Sequence, residues 1–98
     1  MVKFEWDDEK NKENVRKHGL DFADAWQIFD APMLTTLDTK EDYGEDRFLG
    51  MGFLKNLVVV VVYTEPKEET TRIISLRKAL KHERKQFEEA LRNQLGEG

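Results

Sequence analysis

Residues 47–76 read RFLGMGFL, KN, LVVVVVYT, EPKEE and TTRIISL in succession. Arg47 to Leu54 and Leu57 to Thr64 flank Lys55-Asn56, the arrangement of two strands joined by a tight turn. The valines at 58–62 are β-branched and continuous, which predicts a central strand covered on both faces. Pro66 and the charged residues around it predict a turn, and Thr70 to Leu76 a further strand. Upstream, MLTTLD at 33–38 predicts a short strand, and TKEDYGED after it a turn or mobile loop.

Helices bracket these strands. FEWD at 4–7 alternates as a short edge strand does, and Asp7 or Asp8 can cap a helix running to His18. Asp8 and Glu9 then lie at its positive end, and Gly19 takes the left-handed position that closes it. Asp21 can cap a second helix in which Phe22, Ala25, Trp26 and Phe29 share a buried face, ended by Pro32. From about Leu80 a last helix carries Phe87, Ala90, Leu91 and Leu95 on one stripe. The expected fold is α+β, a mostly antiparallel sheet with two N-terminal helices and one C-terminal helix.

The chain has 98 residues, 39% hydrophobic and 37% charged, which fits one domain over residues 1–98 with a modest core. It has no cysteine, so disulfides, thiolate metal sites and a cysteine nucleophile are excluded. The charged start MVKFEWDDEK lacks the apolar region of a signal peptide, and no apolar run reaches spanning length. A soluble cytoplasmic protein is expected, with no membrane partner. The net charge of −4 hides an asymmetry: six basic residues and only Glu83 as an acid lie between Arg72 and Lys85.

The first helix has Val15 as its only aliphatic residue between Asp7 and His18. Lys10, Asn14 and Lys17 share one face; Asn11, Val15 and His18 share the next. Either the helix is solvated and held by its ends, with ion pairs such as Glu13–Lys17, or its polar face turns toward a ligand or the basic strand. His18, just before the glycine, suits a cation at the carbonyl end of the helix; His82 is expected at the surface. No histidine pair has metal-ligand spacing and no glycine-rich phosphate loop precedes a helix, so neither a metal nor another cofactor is expected.

Arginine remains. Arg47 opens one strand, while Arg72 and Arg77 belong to another. Guanidinium groups match phosphate in a bidentate way and stay charged at any working pH, so several on one sheet face suit a phosphodiester. The same arginines could instead pair with acids such as Glu45 and Asp46, and residue types alone do not decide.

The opening FEWDDEKNKENVRKHGLDFADAWQIF, Arg47 before a glycine-containing strand, the valine run with Tyr63-Thr64, and RIISLRKALKHERKQFEEA together carry a family resemblance. The chain resembles the BrnT family of bacterial type II toxins, small ribonucleases with a RelE-like fold, departing from the usual pattern at Leu76 and His82. The resemblance implies a toxin that cleaves RNA, inhibits translation and growth, and is neutralised by a BrnA-like ribbon-helix-helix antitoxin. Operator DNA would be met only through that antitoxin. Cleavage without metal needs cations on the phosphate and groups to move protons. Arg47, Arg72 and Arg77 are the expected charge stabilisers, Lys17 and His18 the expected proton carriers, and Lys10, Lys78, Lys81 and Arg84 the expected RNA-steering residues. A co-repressor that has lost cleavage, and a simple RNA-binding module, are the alternatives.

Overall fold

Asp7 stops the first strand and starts the first helix. In the computed structural model, which describes residues 2–39 and 44–96 (side chains to 94), strand β1 is Lys3–Glu5 and helix α1 is Asp8–His18. Asp7 is extended, and its carboxylate accepts the N–H groups of Glu9 and Lys10 at 2.8 and 3.2 Å. Acids fill the first turn and Arg16, Lys17 and His18 the last, as the helix dipole favours. Gly19, at φ +70°, ends the helix and donates to the Val15 carbonyl. Glu13 pairs with Arg16, not with Lys17 as the sequence suggested.

The helix is docked by an amide instead of an apolar stripe. Asn14 is buried, whereas Val15 is 42% exposed. The Asn14 Nδ2 donates to the carbonyls of Leu76 and Leu20 at 2.8 and 3.0 Å, and its Oδ1 accepts the Leu76 N–H at 3.1 Å. One side chain thus bonds both backbone groups of a strand residue, as a neighbouring strand would, and closes a sheet edge that would otherwise stand open.

The expected second helix is split. Asp21 caps a 3-10 turn, Phe22–Asp24, before the single α-turn α2, Trp26–Phe29. Asn11 donates to the Asp21 carboxylate and accepts the Phe22 N–H, both at 2.9 Å. With the Ala23 N–H first, and Asn11 second, these bonds lower the Asp21 pKa. The Ala25 N–H bonds Phe22 and the Ile28 N–H bonds Ala25, a spacing of three at each step. Residues three apart eclipse in such a turn, so Phe22, Ala25 and Ile28 are buried. Trp26, expected on that face, is 51% exposed.

The five-stranded sheet has the order β1-β5-β4-β3-β2, with β2 Leu34–Asp38, β3 Arg47–Leu54, β4 Leu57–Lys67 and β5 Thr70–Lys78. Neighbours are antiparallel except β1, which runs parallel to β5. The β3–β4 hairpin turns at Lys55-Asn56, with Lys55 at φ 58°. The turn predicted around Pro66 falls later: β4 continues to Lys67, opposite Thr70, and Glu69 takes φ 57°. Pro66 sits in a register irregularity between Thr64 and Lys67, where no ladder N–H is needed. Of the TKEDYGED stretch, residues 40–43 lie outside the described residues, as does the Leu95 side chain.

Strand β4 is central. Val59, Val61 and Tyr63 join Phe22, Ala25, Ile28 and Leu76 in the core, where Phe29 meets Tyr63 edge-on at 4.9 Å. Gly52 makes room for α2, since a Cβ there would stand 2.8 Å from Ile28 Cγ2. Helix α3, Lys81–Gly96, brings Phe87 edge-on to Phe53 at 5.2 Å. Val58 and Val62 are only half-buried, so the valine run is fully covered at its middle alone.

Candidate phosphate-binding cleft

Register places charge in a line across the sheet. Asp38 pairs with Arg47, Thr64 with Arg72, and Arg72 with Glu5. One step beyond the Phe48–Tyr63 pair, Arg47 stands opposite Thr64. Arg47 and Arg72 therefore flank Thr64 two strand spacings apart, about 10 Å between backbones. Residue Thr64 is 1% exposed, and its hydroxyl finds no hydrogen-bond partner among the described residues.

Both arginines line a cleft of about 500 Å³. Lys10, from the first turns of α1, supplies a third cation; Glu5, Asp7 and Glu45 supply carboxylates. Glu5 Oε2 accepts Arg72 Nε at 2.9 Å and lies 2.7 Å from its Nη2, so this guanidinium is already oriented before any ligand arrives. Trp6, Ile73 and Ile74 complete the lining. Ile74 is the extra residue of a β-bulge, since Val62 pairs with Ser75 and Tyr63 with Ile73. Bulges re-aim a side chain beside functional sites; this one leaves Ile74 half-buried at the cleft.

Arg77 lies elsewhere. Its Nη1 and Nη2 grip the Glu83 carboxylate at 2.8 and 2.9 Å. Glu83 also accepts the Leu80 N–H at 2.8 Å, the reach-back of a capping box. The Arg77 hydrogen bond, first, holds the Glu83 pKa down to about 2 against partial burial, helped by the Leu80 N–H and the charges of Arg77 and His82. The same hydrogen bond raises the Arg77 pKa. In the free protein Arg77 clamps the start of α3 to the end of β5.

The remaining predicted residues gather at that second end. Lys78, Lys81 and Arg84 are exposed, and Lys78 is six residues along β5 from Arg72, about 20 Å. Lys17 and His18 are exposed in the last turn of α1, about 10 Å of helix rise beyond Lys10, and do not line the cleft. The Asn14–Leu76 bonds carry that turn toward the Arg77 end. Of the residues singled out from sequence, the fold brings Arg47, Arg72 and Lys10 together. Sequence reading passed over Glu5, Trp6 and Ile74: the first two border a strand too short to show a period, and the third depends on a bulge. Among the described residues no helix is long and apolar enough to cross a membrane.

The chain is thus an α+β fold with a polar cleft of three cations and three carboxylates at one end of its sheet. Residues 6–83 match the family model described as the ribonuclease toxin BrnT of type II toxin–antitoxin systems, and the chain belongs to that family. The 1.1 Å crystal structure of the Brucella abortus ribonuclease toxin BrnT is similar to it, at 28% identity and a TM-score of 0.65. That likeness covers 83% of this chain and 100% of the other. A search of curated proteins found no match. Type II membership implies an antitoxin partner.

Proposed function

We propose that this protein is a metal-independent endoribonuclease whose reaction takes place in the Arg47–Arg72 cleft. The ribose 2′-OH attacks the adjacent phosphorus, the bond to the 5′ oxygen breaks, and a 2′,3′-cyclic phosphate and a 5′-OH result. The observation that carries the reading is the pair of arginines flanking Thr64 in one cross-strand row and lining one polar cleft with Lys10. Fixed guanidinium groups stabilise charge on the non-bridging oxygens without reorganising as it builds.

Within the cleft, Lys10, Glu5 and Glu45 are the proton-carrying groups. Lys17 and His18, outside the cleft, instead steer an RNA that follows the exposed flank of α1 toward Arg77, Lys78, Lys81 and Arg84. In this reading the single domain acts in the cytoplasm, where cleavage stops translation and growth. A ribbon-helix-helix antitoxin neutralises it by covering the arginines or locking α1, and operator DNA is met through that partner.

The test is cleavage of a long mixed-sequence RNA in EDTA by the parent, an Arg47→Ala/Arg72→Ala variant and an Arg77→Ala variant, each with its fold checked by circular dichroism. Cleavage is expected from the parent, at least about a hundredfold less from the double variant, given the cost of removing one such donor. Equal cleavage by parent and double variant refutes the cleft. No cleavage by the parent moves the reading to a co-repressor that has lost catalysis.

A further inference from the structure

Trp6 sits between two fixed points. Glu5 before it is paired to Arg72, and Asp7 after it caps α1. The indole is half-buried, packs against the core, and also lines the cleft. Among the described residues it is the one aromatic side chain there, beside Arg47, Arg72 and Lys10, and the bulged Ile74 adds a second apolar surface. A polar cleft meant only for a phosphate has no use for either. Basic side chains beside an aromatic surface are how proteins bind single-stranded nucleic acid, the cations on the backbone and the ring beneath a base.

We infer that Trp6 is the stacking platform for the nucleobase next to the phosphate held by Arg47 and Arg72, with Ile74 as its apolar border, so that the cleft takes an unpaired nucleotide. The inference rests on the phosphate reading of the cleft and adds the substrate class to it. A base within a duplex stays stacked on its neighbours and cannot lie on the indole. Because every base offers a π face, the platform selects for single strands more than for sequence.

The indole gives its own signal. The chain has two tryptophans, and Trp26, on α2, is 51% exposed and does not line the cleft. In a Trp26→Phe protein the fluorescence reports Trp6 alone. The probe is a 2′-O-methyl RNA trinucleotide, which has no 2′-OH to attack, against the same backbone lacking its central base. The base-bearing probe is expected to quench the emission and to bind at least about tenfold more tightly than the abasic one. With a cleavable single-stranded RNA, Trp6→Phe is expected to keep a KM near the parent's and Trp6→Leu to raise it, kcat changing less. Equal affinity for the two probes, or binding without quenching, overturns the platform. Base-blind binding that still needs Arg47 and Arg72 overturns this inference alone; binding or cleavage indifferent to both arginines overturns the phosphate reading beneath it.

Discussion

Removing the Asn14 amide should loosen the whole first helix. Asn14→Ala deletes two donated hydrogen bonds and one accepted one, and leaves the Leu76 N–H and the Leu76 and Leu20 carbonyls without that partner. At about 1 kcal/mol net for each bond, with an added cost for the buried N–H, the loss is about 3–4 kcal/mol. For a domain of this length that lowers Tm by roughly 15–25 °C. Asn14→Asp sharpens the test, because a carboxylate would face two carbonyl oxygens with no proton to offer. Its folded-state pKa is then raised above the unfolded value, about 3.9. The stability of the protonated form is complete below that value and is lost as pH rises through the folded one. Relative to Asn14→Ala, Asn14→Asp should therefore be the more stable at pH 3.5 and the less stable at pH 7. Thermal and urea unfolding followed at 222 nm measure both. An Asn14→Ala loss under about 1 kcal/mol, no larger than that of Val15→Ala at the exposed neighbouring position, would show that the helix is held by its caps alone.

Gly52→Ala should cost about 2 kcal/mol in urea unfolding, since its Cβ meets Ile28 at 2.8 Å under a packed helix. Gly50→Ala should cost about half that, because its nearest obstacle, Met33 Sδ at 2.9 Å, belongs to a flexible side chain. The Glu83–Arg77 pair should contribute about 1–2 kcal/mol, allowing for solvent screening. The depressed Glu83 pKa makes that contribution present above the unfolded carboxylate value and lost as pH falls toward about 2. Parent and Glu83→Gln should thus differ in Tm at pH 6 and converge near pH 2; a constant gap would reject the linkage. Finally, if Lys10, Arg47 and Arg72 contact phosphates, replacing all three with Ala should flatten the log–log salt dependence of RNA binding by about 2. An unchanged slope in a filter-binding titration would place the phosphates elsewhere.

Much of this fold was legible because it obeys local rules. The Asp7 and Gly19 caps, the Lys55-Asn56 turn and the valine run each declare themselves within a few residues. What stayed hidden depends on where distant segments meet. Trp26 turned outward because the (i, i+3) bonds of Ala25 to Phe22 and of Ile28 to Ala25 replaced the expected helical period, which residue types alone do not announce. Asn14 docks α1 through a partner 62 positions away. The three arginines looked equivalent as residues; the start of α3 takes Arg77 into a capping network and leaves Arg47 and Arg72 at the cleft. Trp6 read as part of an edge strand because its neighbourhood is built by β5, not by its own.

The cleft is also a joint between the two ends of the chain. Glu5 and Arg72 are 67 positions apart, whereas β2 through β5 follow one another as neighbours and can pair through short loops. Distant closure comes late, after local pairing has reduced the entropy it costs. A chain still being synthesised, or one cut short before Arg72, holds Trp6 and Lys10 with no opposite wall.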